Sequence, residues 1–183
     1  MKNILSAILA FGLVAVLAVA PAAAHGGEKH GSMKHGAMKH GGAAFHSLHK
    51  NYEQIRASLA DDSLDGVAKA ARSIANRAGR LATAFDAADA GVSAGDAAAT
   101  KALLPKIKDA AKTLSTASDL EAARAAFGDL SASMVTYRDM IQGKKPVVAF
   151  CPMVEKKWLQ TGEDIGNPFG GKKMARCGEI VSK

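Results

Sequence analysis

The sequence predicts an all-α protein, an antiparallel four-helix bundle closed by a small irregular C-terminal cap. Three observations lead there. Apolar residues recur at three- and four-residue spacing in four successive segments between Ala43 and Gly143. The connections between those segments are short, which favours antiparallel neighbours. After Pro146 the periodicity stops, and a Gly- and Pro-containing stretch too short to be a domain completes the chain.

The first helix is expected from Ala43, with Phe45, Leu48, Tyr52, Ile55 and Leu59 on one face. Asp61, Asp62 and Ser63 break it and offer an N-cap to the next. Leu64, Val67, Ala68, Ala71, Ile74, Ala75, Ala78, Leu81, Ala82 and Phe85 carry a second helix to about Ala87, and Gly91 to Asp96 form a loop. The third helix presents Leu103, Leu104, Ile107, Ala110, Ala111 and Leu114. Pro105 lies inside that pattern and implies a kink or a restart. Ser118-Asp-Leu-Glu121 has the form of a capping box. It opens the most regular helix, with Leu120, Ala123, Phe127, Leu130, Met134, Tyr137 and Ile141 on its seam, ended by Gly143 and Lys144-Lys145. Met134 is a space-filling seam residue rather than a ligand.

The N-terminal region has a different composition. Lys2, the apolar run Ile4 to Val19, and Ala22-Ala23-Ala24 have the form of a secretory signal cleaved after residue 24. The apolar run is short for a membrane span, and no later segment suits one. The expected product is soluble, exported and most simply periplasmic, with no membrane insertion after cleavage. It would keep 159 residues and a formal charge of +6, against +7 for the whole chain. Export and the lack of aromatic-basic interleaving argue against nucleic acid as a partner, so the basic balance is that of a solvated surface.

Residues 25–42 carry a repeated unit: His25-Gly-Gly-Glu-Lys, His30-Gly-Ser-Met33-Lys, His35-Gly-Ala-Met38-Lys, then His40-Gly-Gly. All six histidines of the chain lie between His25 and His49. Imidazole and thioether suit copper and other late transition metals, and glycine after each histidine leaves the backbone free to wrap an ion. The tract is expected to be a flexible tail whose metal ligands are His25, His30, Met33, His35, Met38 and His40. His46 and His49, at i and i+3, are possible additional ligands.

Residues 144–183 are expected to form the cap of the same domain as the bundle, residues 43–143. Cys151 and Cys177 are the two cysteines. In an oxidising compartment a pair defaults to a disulfide, here closing a loop of about 25 residues and contributing ~3 kcal/mol in the chain-entropy model. Met153 and Met174 add two thioethers beside them. Together the four sulfurs suit Cu(I) or Ag(I), with Lys172, Lys173 and Arg176 near enough in sequence to favour thiolate, and Trp158 and Phe169 to exclude water. Both readings of the cysteine pair stand at this level. Zinc is poorly served, because two cysteines without histidine leave its shell incomplete.

The order C-P-M, W-L-Q, I-x-N-P-F-x-G, M-x-x-C-G-E-I from Cys151 to Ile180 resembles the C-terminal signature of a periplasmic helical domain family of unassigned function. Its members are fused to, or encoded beside, CusB-like membrane-fusion subunits of copper and silver efflux pumps. Tyr52, Leu59-Ala-Asp-Asp62 and Arg124-Ala-Ala-Phe127-Gly-Asp-Leu130-Ser131 resemble the family as well. The family usually has tyrosine where Phe169 stands. The resemblance implies a helical bundle and a heavy-metal-resistance context, with an RND-type efflux membrane-fusion protein as possible partner. The His/Met tail is not part of its pattern. No enzyme is implied, and the chain lacks CxxCH, HExxH, a nucleophile elbow and any histidine after His49 to act as a base.

The function expected from the sequence is therefore a periplasmic copper- or silver-binding protein that buffers the metal or delivers it to an efflux system. The alternative is a disulfide-stapled interaction module without a tight metal site of its own.

Overall fold

The computed structural model describes residues 42–183. The expected signal segment 1–24 and the expected ligands His25, His30, Met33, His35, Met38 and His40 lie outside the described residues.

Among the described residues the fold is not all-α. Five helices are followed by a three-stranded antiparallel sheet, which replaces the irregular cap and corrects the four-helix-bundle expectation. The helices are α1 (Ala43–Ala60), α2 (Val67–Thr83), the single turn α3 (Ala87–Ala90), α4 (Ala97–Leu114) and α5 (Leu120–Met140). The strands are β1 (Val147–Cys151), β2 (Lys156–Gln160) and β3 (Glu179–Ser182), in spatial order β2-β1-β3. A 3₁₀ turn, Gly171–Met174, precedes β3.

Each long helix buries one apolar stripe. Phe45, Leu48, Tyr52, Ile55 and Leu59 of α1 are all buried. So are Ala123, Phe127, Leu130, Met134 and Tyr137 of α5, which places Met134 in the core. α1 packs on α2, α2 on α4, α4 on α5, and α5 carries the sheet through β2. Alanines at Ala70, Ala71, Ala78 and Ala111 are buried in the core beside Ile74, Leu104 and Ile107.

Several boundaries differ from expectation for local reasons. α2 begins at Val67, not Leu64. Ser63 instead turns its hydroxyl to accept the Asp65 N–H at 3.0 Å, and left-handed Gly66 (φ 75°) precedes the helix. α2 also ends early, at Thr83. Asp86 then caps α3 by accepting the Asp89 N–H at 2.6 Å. α4 runs unbroken through Pro105. Leu104, Ile107, Ala111 and Leu114 are all buried, and that packing outweighs the ~3 kcal/mol cost of proline in a helix interior. The cap of α5 is Asp119 rather than Ser118, its carboxylate accepting the Ala122 N–H at 2.8 Å.

The sheet is registered by Ala149 opposite Trp158 and by Cys151 opposite Lys156. On its other side Ala149 faces Ile180 and Phe150 faces Glu179, with a bulge between Val148 and Ala149. Trp158 and Leu159 are fully buried and join the helical core. Tyr52 links the two layers: its hydroxyl meets Ser131 Oγ at 2.7 Å and accepts the Leu159 N–H at 3.2 Å. Arg138 is a second link, donating from Nε to the Pro146 carbonyl at 2.9 Å and from Nη1 to Ser182 Oγ at 3.0 Å.

Candidate functional site

Strand β1 ends at Cys151, and a tight turn through Pro152 and Met153 to Glu155 (φ 52°) returns the chain into β2. The turn leaves Cys151 fully buried and Met153 exposed at 75%. Cys177 arrives from the far side, between the 3₁₀ turn and β3. The two Sγ atoms lie 2.6 Å apart, within reach of a disulfide bond. Met153, Met174 and Cys177 line one shallow depression of ≈ 430 Å³ with Lys172, Lys173, Ala175 and Arg176. The four sulfur residues expected to converge are therefore neighbours: the cysteines in contact, the thioethers beside Cys177.

The two thiols are not equivalent. Burial pushes the Cys151 thiol up. Its contact with Cys177, the Met153 and Val154 N–H groups and the Asn167 side chain more than offset this, and hold it below the ordinary thiol value. Cys177 is raised by that same contact and by its own partial burial. Lys172, Lys173 and Arg176 are not what lowers Cys151, contrary to the sequence expectation. The Cys177 contact lowers it first, and the Met153 and Val154 amides of the Cys-Pro-Met-Val turn add to that effect.

A second set of residues holds the turn that delivers Cys177. Asn167 is fully buried. Its amide donates to the Cys177 carbonyl at 2.9 Å, and its Oδ1 accepts the Phe169 and Gly170 N–H groups at 2.8 and 3.2 Å. Arg124 donates to the carbonyls of Pro168 and Leu59, each at 2.9 Å, and forms an ion pair with Asp62. Asp62 in turn accepts the Lys172 N–H at 3.1 Å, and the Arg124 and Lys172 bonds hold its carboxyl below the usual range. Gly171 (φ 56°) sits against this pair, where any side chain would strike the Asp62 carboxylate and the Arg124 guanidinium. The paired sequence patterns around Asp62 and Arg124 thus meet on the 168–172 loop. The sequence marks both patterns, but only the fold shows that they clasp the loop leading to Cys177.

Trp158 and Phe169 are in edge-to-face contact, with ring centroids 6.1 Å apart, and Phe169 continues to Phe127 and Tyr52. Trp158 packs against Gly178, next to Cys177, where a β-carbon would crowd the indole at 2.8 Å. The indole N–H bonds Gln160 Oε1 at 2.9 Å. Neither aromatic lines the depression that Cys177 opens onto.

His46 and His49 lie elsewhere. Both line a separate depression of ≈ 480 Å³ with Phe45, Lys144, Lys145, Pro146, Val147, Thr161, Gly162 and Glu163. His49 stacks between Phe45 and Tyr52, with centroids at 6.0 and 6.2 Å, and its Nε2 is buried without a hydrogen-bond partner. Burial first, then His46 and Arg56, lower its pKa from 6.5 to about 4. Among the described residues no three His, Cys, Asp or Glu side chains form a metal-ligating group, and no helix is long and apolar enough to cross a membrane.

The family described as Protein of unknown function (DUF3347) matches residues 48–145, just over half of the sequence, and the chain belongs to that family. The matched span covers the helices from Leu48 onward and stops before β1. The C-terminal signature lies wholly outside it, and nothing in the match ties the chain to CusB-like efflux proteins. No curated protein and no solved structure matches the chain.

Proposed function

We propose that this DUF3347 member is an exported soft-metal binding protein that holds monovalent copper or silver at Cys151 and Cys177. It would buffer the ion in the periplasm or pass it to an efflux system. The observation that carries the proposal is the adjacency of the two cysteine sulfurs, with Met153, Met174 and Cys177 around a single depression. Thiolate and thioether sulfur are soft donors and suit d¹⁰ monovalent ions in low-coordinate sites.

At 2.6 Å the sulfurs leave no room for an ion between them. Loading therefore requires them to part. Cys177 lies on the rim of the depression, while Cys151 is fully buried. The His/Met tail would supply separate, weaker and faster-exchanging sites for Cu(II) or Cu(I) through His25, His30, Met33, His35, Met38 and His40. The metal is cargo in this reading, and no reaction is assigned to the protein.

The same sulfur proximity favours a second reading, in which oxidation joins the cysteines and the pair staples the cap of an interaction module. An anaerobic Cu(I) titration against a chromogenic chelator, run on thiol-reduced and oxidised protein, separates the two. Binding that strengthens on reduction supports the carrier. Binding indifferent to reduction assigns the metal to the tail. No competitive binding in either state leaves the stapled module.

A further inference from the structure

The depression over Cys177 is lined by three cationic side chains, Lys172, Lys173 and Arg176, and by no carboxylate. None of the three makes an ion pair among the described residues. Asp62, which meets Lys172, does so through the Lys172 backbone N–H and is itself paired with Arg124. Exposed Glu155, Lys156 and Lys157 follow Met153 in sequence, a net positive run, with Lys156 Nζ 5.7 Å from the Phe169 ring centroid. In the midst of these charges stands Met153, 75% exposed, one of two large apolar side chains so displayed among the described residues.

This is an unfavourable mouth for a bare cation. A free monovalent metal ion approaching Cys177 would be repelled by three unpaired positive charges. An anionic surface carrying that ion would be drawn in, and an apolar side chain ringed by charges is the usual build of a contact point in a transient interface. Resting on the soft-metal reading above, we infer that the Met153–Arg176 face is a docking surface for an acidic protein that exchanges monovalent copper or silver with the cysteine pair. Met153 makes the first apolar contact and offers the first thioether. The metal then passes to Cys177 and Cys151, the donor's sulfur ligands leave, each thiol that takes the ion releases its proton to solvent, and the copper stays monovalent throughout.

The test uses two synthetic peptides with the same Met-x-x-Met core, one flanked by Asp and Glu and the other by Lys and Arg. Each is fluorescently labelled and titrated, metal-free, with the full chain. The acidic peptide should bind at least ~10-fold more tightly at low ionic strength, and the difference should fade at about 0.5 M salt. The triple variant K172E/K173E/R176E should lose or invert the preference, whereas K101E/K106E/K112E on α4, with the same charge change, should keep it. Equal binding of the two peptides, or a preference retained by the first variant while circular dichroism shows it folded, overturns the docking surface. Because the peptides carry no metal, this result is independent of whether the cysteines bind copper. In a second arm Cu(I)-loaded peptides report transfer, and an acidic donor that delivers no faster than the basic one also overturns the inference.

Discussion

Replacing His49 with phenylalanine should make the protein less sensitive to mild acid. The imidazole stacks between Phe45 and Tyr52, and its Nε2 is buried with no partner. It takes up a proton near 6.5 in the unfolded chain but only at about 4 in the folded protein. Between those values the unfolded state binds more protons, so stability falls as the pH drops, and it is fully present only above 6.5. From pH 7.5 to 5 the loss is about 2 kcal/mol, approaching about 3 kcal/mol below pH 4. At roughly 3 °C per kcal/mol for a domain of this size, the wild-type melting temperature should fall by about 6 °C more than that of H49F over the same interval. Carboxylates such as Asp62 titrate in both proteins and cancel in the difference. Calorimetry of the two proteins at pH 7.5, 6, 5 and 4.5 measures it. Parallel curves would show that His49 protonates freely in the folded state and would refute the argument from burial.

Three further outcomes follow from named contacts. Y52F removes the hydroxyl that meets Ser131 and receives the Leu159 N–H, leaving that amide buried and unpaired; urea unfolding should show a loss of about 1–3 kcal/mol. G171A places a side chain against Asp62 and Arg124 at φ 56°, so it should cost more than ~1 kcal/mol and expose the 167–173 loop to limited proteolysis, where G162A, with open space around it, should not cleave there. Deleting residues 25–41 should abolish most of the weak copper equivalents seen by isothermal titration while leaving the one reduction-dependent equivalent in place.

The helices were legible because each buries a stripe whose period survives in the sequence. Phe45 to Leu59 and Ala123 to Tyr137 behave as their spacing says. Boundaries were less legible, since Asp119 rather than Ser118, and Gly66 rather than Ser63, take the capping positions once tertiary packing sets where each helix begins. The sheet escaped for a different reason. Val147 to Phe150 has β character, but β2 is Lys-Lys-Trp-Leu-Gln, with two exposed residues followed by three buried ones, and β3 has four residues. Neither carries an alternation long enough to outweigh the helical signal of the rest, and their pairing is fixed by contacts across the chain.

The sulfur residues could be named from their chemistry, but what tunes them could not. Cys151 is lowered first by its contact with Cys177 and then by the Met153 and Val154 amides, whose backbone placement side-chain identity does not encode. Asn167 reads as a turn residue, yet it is buried and ties Phe169, Gly170 and Cys177 together. The motif around Asp62 and the motif around Arg124 gain a meaning only when folding brings them onto the same loop.

The central claim is that Cys151 and Cys177 hold a monovalent soft metal. The most direct measurement is competitive Cu(I) titration of the thiol-reduced, full chain beside its C151S/C177S variant, under anaerobic conditions and against the same chelator. The account expects one tight equivalent in the wild type that the variant lacks, with the weaker equivalents unchanged. Identical isotherms for the two proteins would contradict it.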